Sequence, residues 1–197
     1  MCIRDRVCLK RLACQGFNDI KVSPLYRTRA VGSVRQPDYL NCVIQANCAA
    51  TPRQVIDIFK KNEYCAGRRA RGRNAARPLD IDLLDFGGRI VNWPVGHPRP
   101  KLVLPHPLIA ARAFVLAPLA DLMPRWIHPV YQLTAHQLLI QRGGLREVML
   151  RREISRIDLN VNSCHGKRSR ACRARFLEFS PYTIAAFDRW SANLWPV

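Results

Sequence analysis

Two aspartates, Asp80 and Asp82, stand one residue apart inside an apolar run, RPLDIDLLDFGG (Arg77–Gly88). Burying a carboxylate costs free energy unless something positive meets it. The pair therefore calls for a cation. Leu79, Ile81 and Leu83 alternate with the two acids at a period of two, and a strand puts alternate side chains on opposite faces. As a strand, the three apolar residues face a core and both carboxylates share the other face, about 6–7 Å apart. As a helix the acids would splay about 200° from one another. The Gly87-Gly88 pair then turns the chain. Two carboxylates on one strand face suit Mg²⁺, which prefers hard oxygen ligands and takes one or two carboxylates together with substrate phosphates. The same spacing also fits the solvated outer face of an edge strand, and two acids one residue apart are a weak motif alone.

Directly upstream, GRRARGRNAAR (Gly67–Arg77) carries Arg68, Arg69, Arg71, Arg73 and Arg77. Guanidinium forks match phosphate oxygens in bidentate fashion. A basic, glycine-containing loop running into a strand with two acids reads as a site for a polyphosphate and its metal ions. A solvated or nucleic-acid-binding loop accounts for the arginines but not for the acids that follow at once.

The elements that must hold these residues can be placed from pattern. Val7–Phe17 reads as the end of a helix, Ile20–Arg27 as a strand, and Thr28–Pro37 as a loop. Tyr39–Ala46 is apolar and β-rich, a buried strand. Thr51-Pro52 starts a helix, with Thr51 as N-cap and Pro52 in the first turn. That helix runs to about Tyr64 with Val55, Ile56 and Phe59 inward. After the acid strand come a short strand at Lys101–His106, a helical start near Ala110–Arg112, and a last short helix at Ala135–Gln141. Adjacent strands mixed with helices indicate an α+β fold.

The whole chain sets outer bounds. Its 197 residues suit one domain, or one domain plus a tail. The net charge of +18 makes polyanions the natural partners. The eight cysteines form no CxxC pair and are expected as free thiols in a reducing, cytoplasmic compartment. No run is long and apolar enough to span a membrane. Cys164, His165 and Cys172 match no closed tetrahedral zinc spacing.

Four ordered blocks resemble a known family. They are SPLYRTRAVG (Ser23–Gly32), QPDYLNCVI (Gln36–Ile44), RNAARPLDIDLL (Arg73–Leu84) and LPHPLIAARAFVLAPLADLMP (Leu104–Pro124). In this order they are similar to the 6-hydroxymethyl-7,8-dihydropterin pyrophosphokinases of folate biosynthesis. The resemblance covers about residues 9–142. It implies transfer of the terminal pyrophosphoryl unit of ATP to the pterin hydroxymethyl group, with two Mg²⁺ ions. It further implies a ferredoxin-like β-α-β-β-α-β core with extra C-terminal elements and, more weakly, a monomer. By resemblance Asp80 and Asp82 bind the metals. Arg68, Arg71, Arg77, His106 and Arg112 hold ATP phosphates, and Glu63 lies near the nucleotide. Thr28, Val31, Gly32, Tyr39, Asn41 and Phe114 fall on the pterin pocket. Asp82, Arg77 and Arg68 are the candidate catalytic residues, and either Asp82 or a metal-bound water takes the hydroxyl proton. Phe114 would stack on the flat ring, and the Asn41 amide can both donate and accept at its edge.

The chain also departs from that pattern. The family opens with a strand, central in its sheet, and a glycine-serine-asparagine turn. Neither is found here, so the expectation is an N-terminally truncated core with its first strand missing. Residues 1–8 read as foreign or unassigned, and 143–197 as a basic, poorly ordered tail. Asn62 replaces an apolar residue before the glutamate. Ala76 replaces a proline, while Pro78 keeps Arg77 extended. An inactive fragment of the enzyme is an alternative reading. So is a basic nucleic-acid-binding protein, which steep salt dependence of binding would favour.

Overall fold

The computed structural model describes residues 3–28, 38–67, 78–94, 96, 100–144, 148–152 and 182–190. The elements in chain order are α1 (Ile3–Cys14), β1 (Asn18–Val22), β2 (Leu25–Thr28), β3 (Tyr39–Asn47), α2 (Pro52–Cys65), β4 (Asp80–Phe86), a 3-10 turn (Ile109–Ala111), α3 (Ala113–Leu122), α4 (Ala135–Gln141), β5 (Val148–Arg152) and β6 (Tyr182–Trp190). All strand pairs are antiparallel, in the order β4-β6-β3-β2-β5, with β1 also on β3. The class is α+β, consistent with the ferredoxin-like expectation.

Local chemistry sets the helix starts. Thr51 caps α2 by accepting from the Gln54 amide, and the Gln54 side chain accepts from the Thr51 amide. This reciprocal box satisfies two donors that a helix start leaves open. Thr134 and Gln137 repeat it at α4. Val55 and Phe59 of α2 are buried as expected, and Ile56 packs partly buried beside them.

The sheet separates two apolar layers. On one face, Leu9 and Leu12 of α1 and Val55 and Phe59 of α2 pack on Ile44, Ile81 and Leu83. On the other, Val115, Leu116 and Leu119 of α3 and Leu138 of α4 pack on Tyr26, Val43 and Leu84. Tyr26 also ties α3 to β2, its hydroxyl donating to Asp121 Oδ2 at 2.7 Å.

Three expectations need correction. The strand expected over Ile20–Arg27 is broken at Ser23-Pro24. There the Ser23 amide donates to Val43 O and the Ser23 hydroxyl accepts from the Val43 amide, both at 2.9 Å. A proline has no amide for the ladder, and the serine hydroxyl bridges the break. Lys101–His106 is not a strand; only an isolated bridge joins Leu104 to Val91, because Pro105 interrupts pairing. Finally, Cys14, exposed at the end of α1, is disulfide-bonded. An accessible thiol can pair.

At the ends of the chain, α1 begins at Ile3. Strands β5 and β6 both fall within the stretch whose composition reads as an unordered tail. β6 lies inside the sheet, between β3 and β4. Among the described residues no helix is long and apolar enough to cross a membrane.

Candidate active site

Strand β4 carries the two acids as the alternation predicts. Ile81 and Leu83 are buried, and Asp80 and Asp82 are half-buried on the opposite face. The turn that follows places Gly87 at φ 60° and Gly88 at φ 70°, backbone values that glycine adopts without steric cost. Strand β4 lies at the edge of the sheet, which the solvated-face reading also required. The acid face, however, meets basic side chains. Asp82 Oδ2 accepts from Arg112 Nη1 at 3.1 Å, and His106 Nε2 lies 3.9 Å from the same oxygen. Asp82 remains 40% exposed and Arg112 30%, so a ligand can reach the pair.

Both side chains are set by backbone. Arg112 stands in extended conformation as the residue before α3. Its guanidinium carbon lies 5.7 Å from the Phe114 ring centroid, within cation–π range. The His106 amide donates to Leu84 O at 2.8 Å, fastening this loop to β4. His106 Nδ1 accepts from the Leu108 amide at 3.1 Å. In the neutral ring the proton therefore sits on Nε2, toward Asp82.

Glu63 works from beneath. It is 3% exposed, and its Oε1 accepts from the Ile81 amide at 2.7 Å. This bond pins β4 between its two aspartates to the end of α2. Asn62, in place of an apolar residue, is buried and donates to Gln15 Oε1 at 2.8 Å and Ile58 O at 2.9 Å. It fastens α2 to the end of α1.

Of the described pterin candidates, Thr28, Tyr39 and Asn41 form a second group on β2 and β3, while Phe114 lies on α3. Asn41 Nδ2 donates to Thr28 Oγ1 at 2.9 Å, and both residues are buried. Asn41 Oδ1 is buried without a hydrogen-bond partner. Buried acceptors are normally paired, so this oxygen is ready for a donor on a ligand. Tyr39 and Phe114 are half-buried. Val31, Gly32, Arg68, Arg71 and Arg77 lie outside the described residues.

The pattern reading missed a buried polar cluster on β4. Asp85 is fully buried, and its Oδ2 accepts from Trp126 Nε1 at 3.2 Å and from the Gly88 amide at 3.3 Å. Desolvation raises its pKa, opposed by the hydrogen bonds from Trp126, Gly88 and Phe86. His128 lies beside Trp126, ring centroids 5.7 Å apart. Burial lowers its pKa to about 4. An acid within the apolar run LLDF was the available signal, the same one that marked Asp80 and Asp82.

Among the described residues no three His, Cys, Asp or Glu side chains converge as a metal site. Two aspartates without a third ligand are a poor zinc or calcium cage. They fit Mg²⁺, which completes its shell with water and substrate phosphates.

The stretch of chain that carries these residues is similar to known proteins. Residues 4–124 match the model of the family described as 7,8-dihydro-6-hydroxymethylpterin-pyrophosphokinase. The 2-amino-4-hydroxy-6-hydroxymethyldihydropteridine pyrophosphokinase of Aquifex aeolicus is 33% identical over 113 residues, 57% of this chain and 66% of that protein. The protein of the same name from Pseudomonas aeruginosa is 37% identical over 105 residues, 53% of this chain and 61% of its own length. The mitochondrial folate synthesis bifunctional protein of Arabidopsis thaliana is 30% identical over 142 residues, 72% of this chain and 23% of that protein. The chain thus spans just under two thirds of the bacterial relatives and about a quarter of the plant one.

Proposed function

The chain belongs to the 7,8-dihydro-6-hydroxymethylpterin-pyrophosphokinase family, and from that premise we propose that it transfers the terminal pyrophosphoryl group of ATP to 6-hydroxymethyl-7,8-dihydropterin in folate biosynthesis. The hydroxymethyl oxygen attacks the β-phosphorus, the bond from that phosphorus to the α-phosphate oxygen breaks, and AMP leaves. Such transfers ask the protein mainly for positioning and charge neutralisation.

The observation that carries this reading is the convergence of Asp82, His106 and Arg112 on the face that also bears Asn41 and Thr28. Arg112 is the residue that changes partner: it leaves Asp82 for a phosphate oxygen, which frees the carboxylate. His106 donates from Nε2 to the same phosphates. Asn41 Oδ1 receives an N–H from the pterin edge, Tyr39 lines that pocket, and Phe114 stacks on the ring. Glu63 keeps β4 in place from below. Arg68, Arg71 and Arg77 complete the phosphate clamp, and Val31 and Gly32 close the pterin pocket. Two Mg²⁺ ions are part of the proposal; held by Asp80 and Asp82, they would neutralise the triphosphate and orient it for in-line attack. The hydroxyl proton leaves to Asp82 or to water.

The test is a titration with a non-hydrolysable ATP analogue, with and without Mg²⁺, followed by the pterin. Expected are Mg-dependent nucleotide binding and a pterin site that appears only afterwards. Asp82→Ala should abolish turnover with the fold intact. Nucleotide binding indifferent to Mg²⁺, or unchanged turnover in Asp82→Ala, would overturn the proposal.

A further inference from the structure

The two halves of the candidate site sit on strands that do not pair with each other. Asn41 belongs to β3, and Asp80 and Asp82 to β4. Between them lies β6, antiparallel to both. It comes from residues 182–190, well beyond the stretch 4–124 that carries the family match.

The fit of this strand is extensive. All nine residues of β6 pair with all nine of β3 without a register shift, from Tyr39↔Trp190 to Asn47↔Tyr182. On its other edge β6 pairs with β4 from Asp80↔Asp188 to Phe86↔Thr183, with one irregularity between Leu83 and Asp85. Its sequence, YTIAAFDRW, supplies β-branched and aromatic residues around a small centre. Ala185 sits at that centre, opposite Ile44 on one side and Leu83 on the other, fully buried in the core beneath α1 and α2. Asp188 holds the register position opposite Asn41 on one side and Asp80 on the other.

Without β6, β4 would have no strand partner among the described residues, and β3 would present an open central edge. Unpaired edges of that kind bind other strands. With adjacent strands about 4.8 Å apart, β6 sets the Asn41 strand and the aspartate strand about 10 Å from one another, too far to bond directly.

We propose that Tyr182–Trp190 is an intramolecular clamp strand: it joins β3 to β4 and thereby fixes the spacing between the pterin half and the phosphate half of the site. The segment acts as a positioning element, through its backbone pairing with both strands. Its consequence for ligands rests on the function proposed above; the strand arrangement does not.

Amide hydrogen exchange on the full chain, mapped by peptide, tests this. The amides of Tyr182–Trp190 should exchange as slowly as those of Tyr39–Asn47 and Asp80–Phe86, within about tenfold, because strands of one cooperative unit open together. Ala185→Pro removes a ladder donor at the centre. It should lower protection in β3 and β4 together by at least about 100-fold while α4 keeps its own. Fast exchange across 182–190 in the unmodified chain, with β3 and β4 still protected, overturns the clamp; so does Ala185→Pro with both strands unchanged. Should that variant fail to fold, the unmodified chain decides. The same sample is titrated with Mg²⁺ and the ATP analogue. Shared protection without nucleotide binding leaves the clamp standing and removes the proposed function. Nucleotide binding with an unprotected 182–190 does the reverse.

Discussion

Asn41 shows how far a single residue could be read. An amide between Leu40 and Cys42 demands partners, and the structure supplies one, Thr28, while leaving Oδ1 unpaired. Asn41→Ala removes that acceptor. The pterin dissociation constant should rise about 10- to 100-fold, the worth of one buried polar contact, with nucleotide affinity unchanged. Equal loss for both ligands in calorimetry would place Asn41 outside the pterin pocket. Asp80 and Asp82 were legible because a period of two needs only neighbouring residues. Glu63 was legible only by resemblance, since its partner, the Ile81 amide, lies 18 positions away. The same distance effect hid the Asn62–Gln15 contact, 47 positions apart. His128 gives a pH prediction. Its pKa falls from 6.5 to about 4 in the folded chain because burial disfavours the imidazolium. As pH falls below 6.5 the unfolded chain takes the proton first, so stability is full above that value and declines toward pH 4, by roughly 3 kcal/mol in all. Asp85 works in the opposite sense: its raised pKa lets the folded chain take up a proton first, offsetting part of the loss at the acid end. His128→Asn keeps an acceptor for the Val130 and Tyr131 amides that His128 Nδ1 now serves and removes the titration. Urea unfolding between pH 4 and 6.5 should show a shallower slope in the variant; an identical slope would contradict the assignment.

At the scale of elements, local rules worked where an element ends by its own chemistry. Thr51 and Pro52 marked the start of α2, and Ala135–Gln141 was read to the residue. They failed where tertiary pairing decides. The Ser23-Pro24 break holds because a serine hydroxyl replaces a ladder bond across 20 positions of sequence, and nothing local announces it. Strand β6 was missed for the same reason: both its partners, β3 and β4, lie far upstream in the chain, so nothing local announces the pairing. The tie between α2 and β4 can be tested as an element contact. Glu63→Ala leaves the buried Ile81 amide without that acceptor and should cost about 1–3 kcal/mol of stability. Glu63→Gln keeps an oxygen in reach and should cost less. Thermal melts that rank the two equally would mean that the contact with Ile81 does not hold β4.

For the whole molecule, charge is the dominant sequence fact. A net +18 on 197 residues repels itself and attracts polyanions of any kind. Screening acts over about 10 Å at 0.1 M salt, so raising NaCl from low to physiological concentration should raise the melting temperature. Tripolyphosphate should do the same without Mg²⁺, simply by neutralising the field. That general attraction is the background against which a built site must be recognised. Stabilisation by a Mg-nucleotide should persist at physiological salt, where the effect of tripolyphosphate fades, and should be lost in Asp82→Ala, which leaves the arginines in place. If the Mg-nucleotide and tripolyphosphate fade together with salt, and Asp82→Ala changes neither, the anions are held by charge alone. Asp82 would then be a partly exposed acid paired with Arg112.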